Sequence, residues 1–236
     1  MTLLNPINFI DFYRQFYFEN DIDDDTMHSF GVPSGLNTTN AKAEEWIEEH
    51  RINKGVFDMF ALAWKAGRID WDDGHIVYKD FVDGSNCKNG LGYKIDIRSF
   101  NEYCEFLNRI DVDSYDFKSL YEMLWPQSPV NIGPVYIIAS LFFRSKGRFP
   151  IYDQFVHKAV RSLALGIAPA DVYMGTPPDK KYVGDVVCMY NEYITLLVRA
   201  FPDHINRSGG PFIPRELDQA LWIYGHCTRR WDEIKQ

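Results

Sequence analysis

The chain has 236 residues, of which 46% are hydrophobic, 16% aromatic and 25% charged, and its formal net charge is −8. This composition excludes an intrinsically disordered protein, and a chain of this length buries enough surface to fold without disulfides or a structural metal. No uncharged apolar run reaches the roughly 18 residues of a membrane helix, so we expect no membrane partner. The first residues show no basic region before an apolar segment, which predicts no secretory signal and a cytoplasmic location.

Apolar residues recur with the period of a helix along most of the chain. The predicted helices, in chain order, are 42–53, 55–66, 100–107 (opened by a capping box of Ser99 and Glu102), 117–124 (behind Asp116), 135–143, 156–163 (between Asp153 and Gly166), 181–200 and 217–224 (opened by Pro214). We therefore expect an all-α protein of about eight helices.

Two stretches depart from this pattern. Residues 19–40 begin with an acidic run and continue with Gly, Ser, Asn and Thr, which predicts an exposed loop. Residues 74–96 carry β-branched and aromatic residues around glycine- and asparagine-rich turns, which indicates either a small β-hairpin or a long loop.

Charge is unevenly distributed along the chain. Residues 1–118 hold 12 lysines and arginines against 22 acids, whereas residues 119–236 hold 13 against 11. Five basic residues and one acid lie within 144–161. Because salt screens distant charges, a local basic surface can contact phosphate even on an acidic protein. An ordinary solvated surface is the alternative.

The segment 128–166 carries the most information. A tight turn at 131–134 precedes an apolar helix, a second turn contains Gly147, and Asp153 then begins another helix. Gly133 and Asp153 are 20 positions apart, which is enough for one helix and its return.

This layout resembles the helix-hairpin-helix DNA glycosylase superfamily, the group of endonuclease III, the adenine glycosylase and the oxoguanine glycosylases. In that family a glycine-rich hairpin precedes a buried helix, a Gly/Pro turn and an Asp that opens the next helix. Residues 218–227 also resemble the helix that closes the catalytic domain of endonuclease III. The resemblance covers about 56–230 and implies a helical two-lobed domain, which we place at 41–236 after an N-terminal extension and loop at 1–40.

The resemblance also implies a partner, double-stranded DNA, and a role for each matching residue. The hairpin at Ile132, Gly133 and Pro134 would offer backbone N–H groups to a phosphate, although Pro134 itself lacks one. Asp153 would stabilise a sugar cation or position the attacking group. Further nucleic-acid contacts are assigned to nearby side chains: Lys146, Arg148, His157, Lys158 and Arg161. Judged without the resemblance, Asp153 is a helix N-cap and His157 a surface or core histidine.

Departures from the family pattern narrow the expected chemistry. Asn131 stands in place of the first hairpin glycine. Val135 occupies the position of the lysine that forms a Schiff base in bifunctional members, so lyase activity is not expected. A single cysteine, Cys227, lies at the closing helix, which excludes an iron–sulfur cluster, and the four cysteines fit no zinc framework. We expect neither metal nor cofactor.

Three hypotheses follow. The first is a DNA-binding monofunctional glycosylase of base excision repair, with Asp153 in a cleft beside aromatic and basic residues. The second is a non-catalytic protein with the glycosylase fold, a binding or structural module in which Asp153 only caps its helix. The third is an unrelated helical interaction protein.

Overall fold

The computed structural model describes residues 6–18, 22–33, 36, 40–78, 95–207, 210–211 and 213–234. These residues form twelve α-helices: α1 (Pro6–Phe18), α2 (Asp24–Ser29), α3 (Ala41–Ile47), α4 (Met59–Lys65), α5 (Ile97–Arg109), α6 (Phe117–Leu124), α7 (Pro134–Arg144), α8 (Gln154–Leu165), α9 (Val183–Ala200), α10 (Pro202–Ile205), α11 (Arg215–His226) and α12 (Trp231–Ile234). A π-helical turn, Glu48–Ile52, continues α3. None of the helices in these ranges is long and apolar enough to cross a membrane. The all-α prediction is confirmed, although the described residues form twelve helices where the sequence predicts about eight.

The predicted small hairpin is present, although it begins earlier than expected. Strand β1 (Ile69–Asp72) pairs antiparallel with β2 (His75–Tyr78). Asp73 and Gly74 connect them and both have positive φ, 41° and 82°, as the two central residues of a type I′ turn require. The Asp73–Gly74 pair is therefore the turn signal of this hairpin. Residues 79–94 of the predicted stretch lie outside the described residues. A second short pair joins β3 (Asn206–Arg207) to β4 (Gly210–Pro211).

The prediction of an exposed loop over 19–40 is wrong for its central part, which contains α2. Asp23 caps this helix by accepting a hydrogen bond from the Thr26 amide over 2.8 Å. Met27 and Val32 are buried, so they anchor the segment by their apolar side chains. Residues 19–21, 34–35 and 37–39 lie outside the described residues.

The start of α5 also differs from the prediction. Asp96, not Ser99, is the N-cap, and it accepts hydrogen bonds from the Arg98 and Ser99 amides, each over 3.3 Å. Glu102 pairs with Arg98 four residues earlier instead of closing a capping box. The helix therefore begins three residues upstream of the predicted cap, where the Asp96 carboxylate accepts its first amides.

The chain divides into two compact units. The first unit comprises Met1–Thr38, Tyr152–Thr176 and Tyr190–Gln236, and the second comprises Thr39–Ile151 and Pro177–Met189. The N-terminal residues therefore belong to a unit that also contains α8 and α11.

In the first unit, α1 and α8 both pack on α11. The apolar stripe of α1 is aromatic: Phe9, Tyr13 and Phe16 are buried. The Phe9 ring meets the Tyr224 ring edge-on, with centroids 5.4 Å apart. Such aromatic pairs add to the hydrophobic gain of burial.

In the second unit, α7 is the central helix and contacts α4 and α6. Its residues are buried on all sides, as its uninterrupted apolar sequence predicts. The one polar side chain at its centre, Ser140, shares a 2.6 Å hydrogen bond with Tyr103. This bond satisfies both hydroxyl groups inside the core.

Candidate nucleic-acid interface and catalytic carboxylate

The candidate phosphate contact is the turn of residues 128–133, which connects the 3₁₀ turn Trp125–Gln127 to α7 in the second unit. Within it the Ile132 amide donates to the Pro129 carbonyl over 3.0 Å. The Ile132 side chain is buried in the core. The prediction that Ile132 offers an N–H to phosphate is therefore wrong, because the turn itself uses that hydrogen.

Gly133 and Pro134 form the first residues of the helix that follows. Gly133 is the N-cap of α7, with extended backbone and no side-chain hydrogen bond to the first turn. Pro134 is buried at the first helical position, where its fixed φ favours the helix. Proline has no amide hydrogen, so Pro134 adds no donor to the hairpin, as its sequence already implies. Of the three hairpin residues, Gly133 is the one that suits an anion at a helix N-terminus.

The tip of the turn points into solvent. Val130 is 91% exposed, and its neighbour Asn131 is exposed as well. A single exposed valine is ordinary on a protein surface, and here it shows that this part of the turn is accessible.

One residue that the sequence analysis missed lies against this turn. The Lys180 ammonium is within hydrogen-bond distance of three oxygens: the Pro129 carbonyl at 2.5 Å, the Ser128 hydroxyl at 2.9 Å and the Ser128 carbonyl at 3.3 Å. Partial burial lowers the pKa of Lys180, opposed by the Asp179 carboxylate. The contact joins residues more than 50 positions apart, so no local sequence pattern predicts it.

Two of the predicted basic contacts follow α7 in the second unit. Arg148 donates to the Val112 carbonyl over 2.9 Å and to the Tyr115 carbonyl over 3.3 Å, and it lies 3.5 Å from the Asp113 carboxylate. The guanidinium therefore holds a neighbouring loop with part of its five N–H donors, and its role as a phosphate contact stays a prediction. Lys146 is exposed and keeps its predicted role.

The candidate catalytic carboxylate, Asp153, begins α8 in the first unit. It is the N-cap, and its Oδ1 accepts a 2.8 Å hydrogen bond from the Phe155 amide. Its side chain is half-buried. At the other end of α8, Gly166 adopts the left-handed conformation, φ 68°, that ends the helix. Both ends of α8 thus agree with the sequence prediction.

His157 lies one turn further along α8 and is buried, with 2% of its surface exposed. Its Nδ1 is 3.1 Å from the Tyr152 hydroxyl, and its Nε2 is 3.8 Å from the Glu192 carboxylate. Burial lowers the pKa of His157 to about 4, although Glu192 opposes the shift. The imidazole is therefore neutral at pH 7 and inaccessible, so its assignment as a nucleic-acid contact is wrong.

The remaining basic residues of α8 differ from each other. Arg161 donates to the Tyr173 carbonyl over 3.1 Å and lies 3.5 Å from the Glu192 carboxylate. It therefore fixes the loop after α8 with part of its N–H donors, and its role as a phosphate contact stays a prediction. Lys158 is half-exposed and keeps its predicted role.

An aromatic stack beside Asp153 was also missed. The His226 ring lies 3.6 Å from the Phe155 ring at 22° and 4.4 Å from the Trp222 ring. Burial lowers the pKa of His226, whereas the Trp222 carbonyl and the Asp153 carboxylate raise it. The sequence placed His226 and Trp222 on one helix face, but it gave no reason to bring Phe155 against them.

The candidate residues fall into two groups. The turn of 128–133, Lys146 and Arg148 belong to the second unit, whereas Asp153, His157, Lys158 and Arg161 belong to the first. Across the described ranges, no cluster of three or more His, Cys, Asp or Glu side chains is arranged to hold a metal ion. Comparison with protein-family models, with curated proteins and with solved structures finds no match to this chain.

Proposed function

We propose that the protein binds double-stranded DNA and removes a base as a monofunctional glycosylase, with Asp153 as the catalytic carboxylate. The order of elements supports this proposal: an uncapped helix, α7, follows the 128–133 turn, and an aspartate begins the next helix, α8. A two-lobed glycosylase fold is part of the proposal.

The uncapped N-terminus of α7 is suited to a phosphate. Pro134 has no amide hydrogen, and the Tyr136 amide donates to the Gly133 carbonyl over 3.1 Å. The Val135 amide is therefore the first-turn donor that no side chain of the N-cap accepts. A helix N-terminus also carries partial positive charge. Lys146, which follows α7, adds an exposed positive charge in the same unit. Contacts of this kind position a duplex without reading its sequence.

The chemistry follows from the residues at two positions. Val135 has no amine, so the target sugar cannot form a Schiff base there. Base release then requires water to add at C1′ of an extruded nucleotide while the C1′–N bond breaks and the base leaves with a proton. A carboxylate at Asp153 would stabilise the positive charge that develops on the sugar.

A second candidate function is a non-catalytic binding or structural module with the same fold. The hydrogen bond from the Phe155 amide to Asp153 favours it, because that contact gives the carboxylate a purely structural role. Arg148 and Arg161 favour it as well, because each donates hydrogen bonds to a backbone carbonyl and so has a structural role.

The first experiment measures binding to a duplex that contains an abasic-site analogue and to the same undamaged duplex, across a salt series. Glycosylase function predicts tighter binding to the analogue and affinity that falls steeply as salt rises. Failure to bind either duplex at low salt would contradict DNA binding altogether.

The catalytic role of Asp153 is separated from its capping role by two substitutions. Asp153→Asn keeps an N-cap of equal quality and removes the charge, so we expect unchanged thermal stability and loss of base release. Asp153→Ala should cost about 1 kcal/mol of stability as well. Asp116→Asn is the matched control, because Asp116 caps α6 by accepting the Ser119 amide over 2.7 Å. We expect this variant to release bases as the wild type does. If Asp153→Asn retains activity, the carboxylate is only a cap.

A further inference from the structure

The side chain of Lys180 reaches the 128–133 turn from outside it. Lys180 approaches the Pro129 carbonyl and both oxygens of Ser128 at 2.5–3.3 Å. An ammonium group has three hydrogens, so these three oxygens can occupy all of them. Lys180 therefore has no donor left for a ligand.

The backbone of Lys180 is anchored by a contact of its own. The Tyr121 hydroxyl donates to the Lys180 carbonyl over 3.1 Å, and Tyr121 is buried on α6. A lysine normally keeps its long side chain mobile, and ordering it costs conformational entropy. Because the Lys180 main chain is anchored, less conformational entropy is lost when its ammonium group binds the three oxygens.

The three oxygens need a counter-charge in order to converge. Carbonyl and hydroxyl oxygens carry partial negative charge, and they repel one another when they point to one place. Pro129 also accepts the Ile132 amide within the turn, so its carbonyl is central to the conformation. The positive charge of Lys180 offsets this repulsion and stabilises the turn.

We infer that Lys180 is a positioning residue: it holds the 128–133 turn in the conformation that presents the N-terminus of α7, and it does not itself contact phosphate. The part of this inference that concerns DNA rests on the proposed function. The part that concerns the turn does not.

The neighbouring lysine provides a matched control. Lys181 has 54% of its side chain exposed, lies 3.6 Å from the Asp179 carboxylate and stands over the Tyr182 ring. Lys180→Met and Lys181→Met each remove one positive charge and leave a long apolar chain. Lys180→Arg keeps the charge and tests whether a different donor group restores the turn.

Hydrogen exchange of the Ile132 amide reports the turn directly, without DNA. We expect Lys180→Met to accelerate this exchange about tenfold, which corresponds to about 1.4 kcal/mol of local stability. Lys181→Met should leave it within about twofold, and Lys180→Arg should fall between. Unchanged exchange in Lys180→Met would overturn the inference, whatever the result with DNA.

DNA binding then separates positioning from direct contact. With the abasic-analogue duplex, Lys180→Met should weaken binding about tenfold while the salt slope stays that of the wild type, because no phosphate contact is lost. A slope reduced by about 1 would show that Lys180 touches phosphate, and would overturn the positioning role. Equal weakening by Lys180→Met and Lys181→Met would reduce the effect to net charge and overturn it as well.

The two proposals fail in different ways. If the wild type binds neither duplex but Lys180→Met still accelerates exchange at Ile132, the proposed function is wrong and Lys180 still holds the turn. If the wild type binds and exchange does not change, the proposed function stands and this inference is wrong.

Discussion

Helices α7 and α8, which carry the candidate site, begin in opposite ways. At α7 the N-cap is Gly133, and no side chain closes the first turn. At α8 the N-cap is Asp153, whose carboxylate accepts the Phe155 amide. The first helix thus leaves its positive end open to an external anion, whereas the second already neutralises its own.

The two helix starts therefore suit different ligands and different roles in the proposed function. An open N-terminus can bind a phosphate but holds no carboxylate, and a capped N-terminus holds a carboxylate but has less capacity for a phosphate. Each start also depends on a different support. The turn before α7 depends on Lys180, whereas α8 depends on its packing against α11.

The largest effect that we expect concerns the packing of α8. A Cβ added to Gly225 on α11 would lie 2.0 Å from the Phe155 carbonyl oxygen. Because backbone cannot move aside as a flexible side chain does, Gly225→Ala should destabilise the protein by about 3 kcal/mol. Thermal or urea unfolding measures this directly.

Gly184→Ala is the control for that substitution. Gly184 lies in α9 with nothing within 4 Å of the added methyl group, so we expect a stability equal to the wild type or slightly higher. Equal destabilisation by both changes would mean that the close approach of α11 to Phe155 is not what Gly225 provides.

The second effect is a pH dependence from His157. Burial lowers the pKa of this histidine from 6.5 to about 4, so the unfolded chain binds the proton first as the pH falls. The contribution to stability is complete above pH 6.5 and is lost as the pH falls towards 4. Between pH 7 and pH 5 the free energy of unfolding should drop by about 2 kcal/mol from this group.

His157→Gln isolates that contribution from other groups. His226 is also half-buried with a lowered pKa and remains in the variant. Urea unfolding at pH 7 and pH 5 should show a smaller loss in His157→Gln than in the wild type. The same loss in both proteins would mean that His157 is accessible to protons in the native state.

The smallest change in stability is expected at the tip of the turn before α7. Val130 is 91% exposed, so Val130→Asp should alter the free energy of unfolding by less than about 0.5 kcal/mol. If this turn meets phosphate, the added charge should nevertheless weaken binding to the abasic-analogue duplex by repulsion. Val130→Ser, which adds no charge, should bind as the wild type does, and equal binding by Val130→Asp would exclude the turn from the interface.

Much of the local structure was predictable because its causes are local. The period of apolar residues locates the eight predicted helices, and Asp116, Asp153 and Gly166 mark helix ends because each acts on amides or carbonyls a few positions away. Where two local signals competed, as Asp96 and Ser99 did at α5, the pattern alone chose the wrong cap. The Asp73–Gly74 turn is likewise a local signal, because an Asp-Gly pair favours a type I′ turn.

The sequence by itself determined the helical class, most helix ends and the presence of a carboxylate at the start of α8. Only the tertiary structure decided the environment of each candidate side chain. It buried His157, committed Arg148 and Arg161 to carbonyl groups, and brought Lys180 to a turn more than 50 positions away. Contacts between distant segments depend on how whole helices pack, and periodicity within one segment carries no information about its partner.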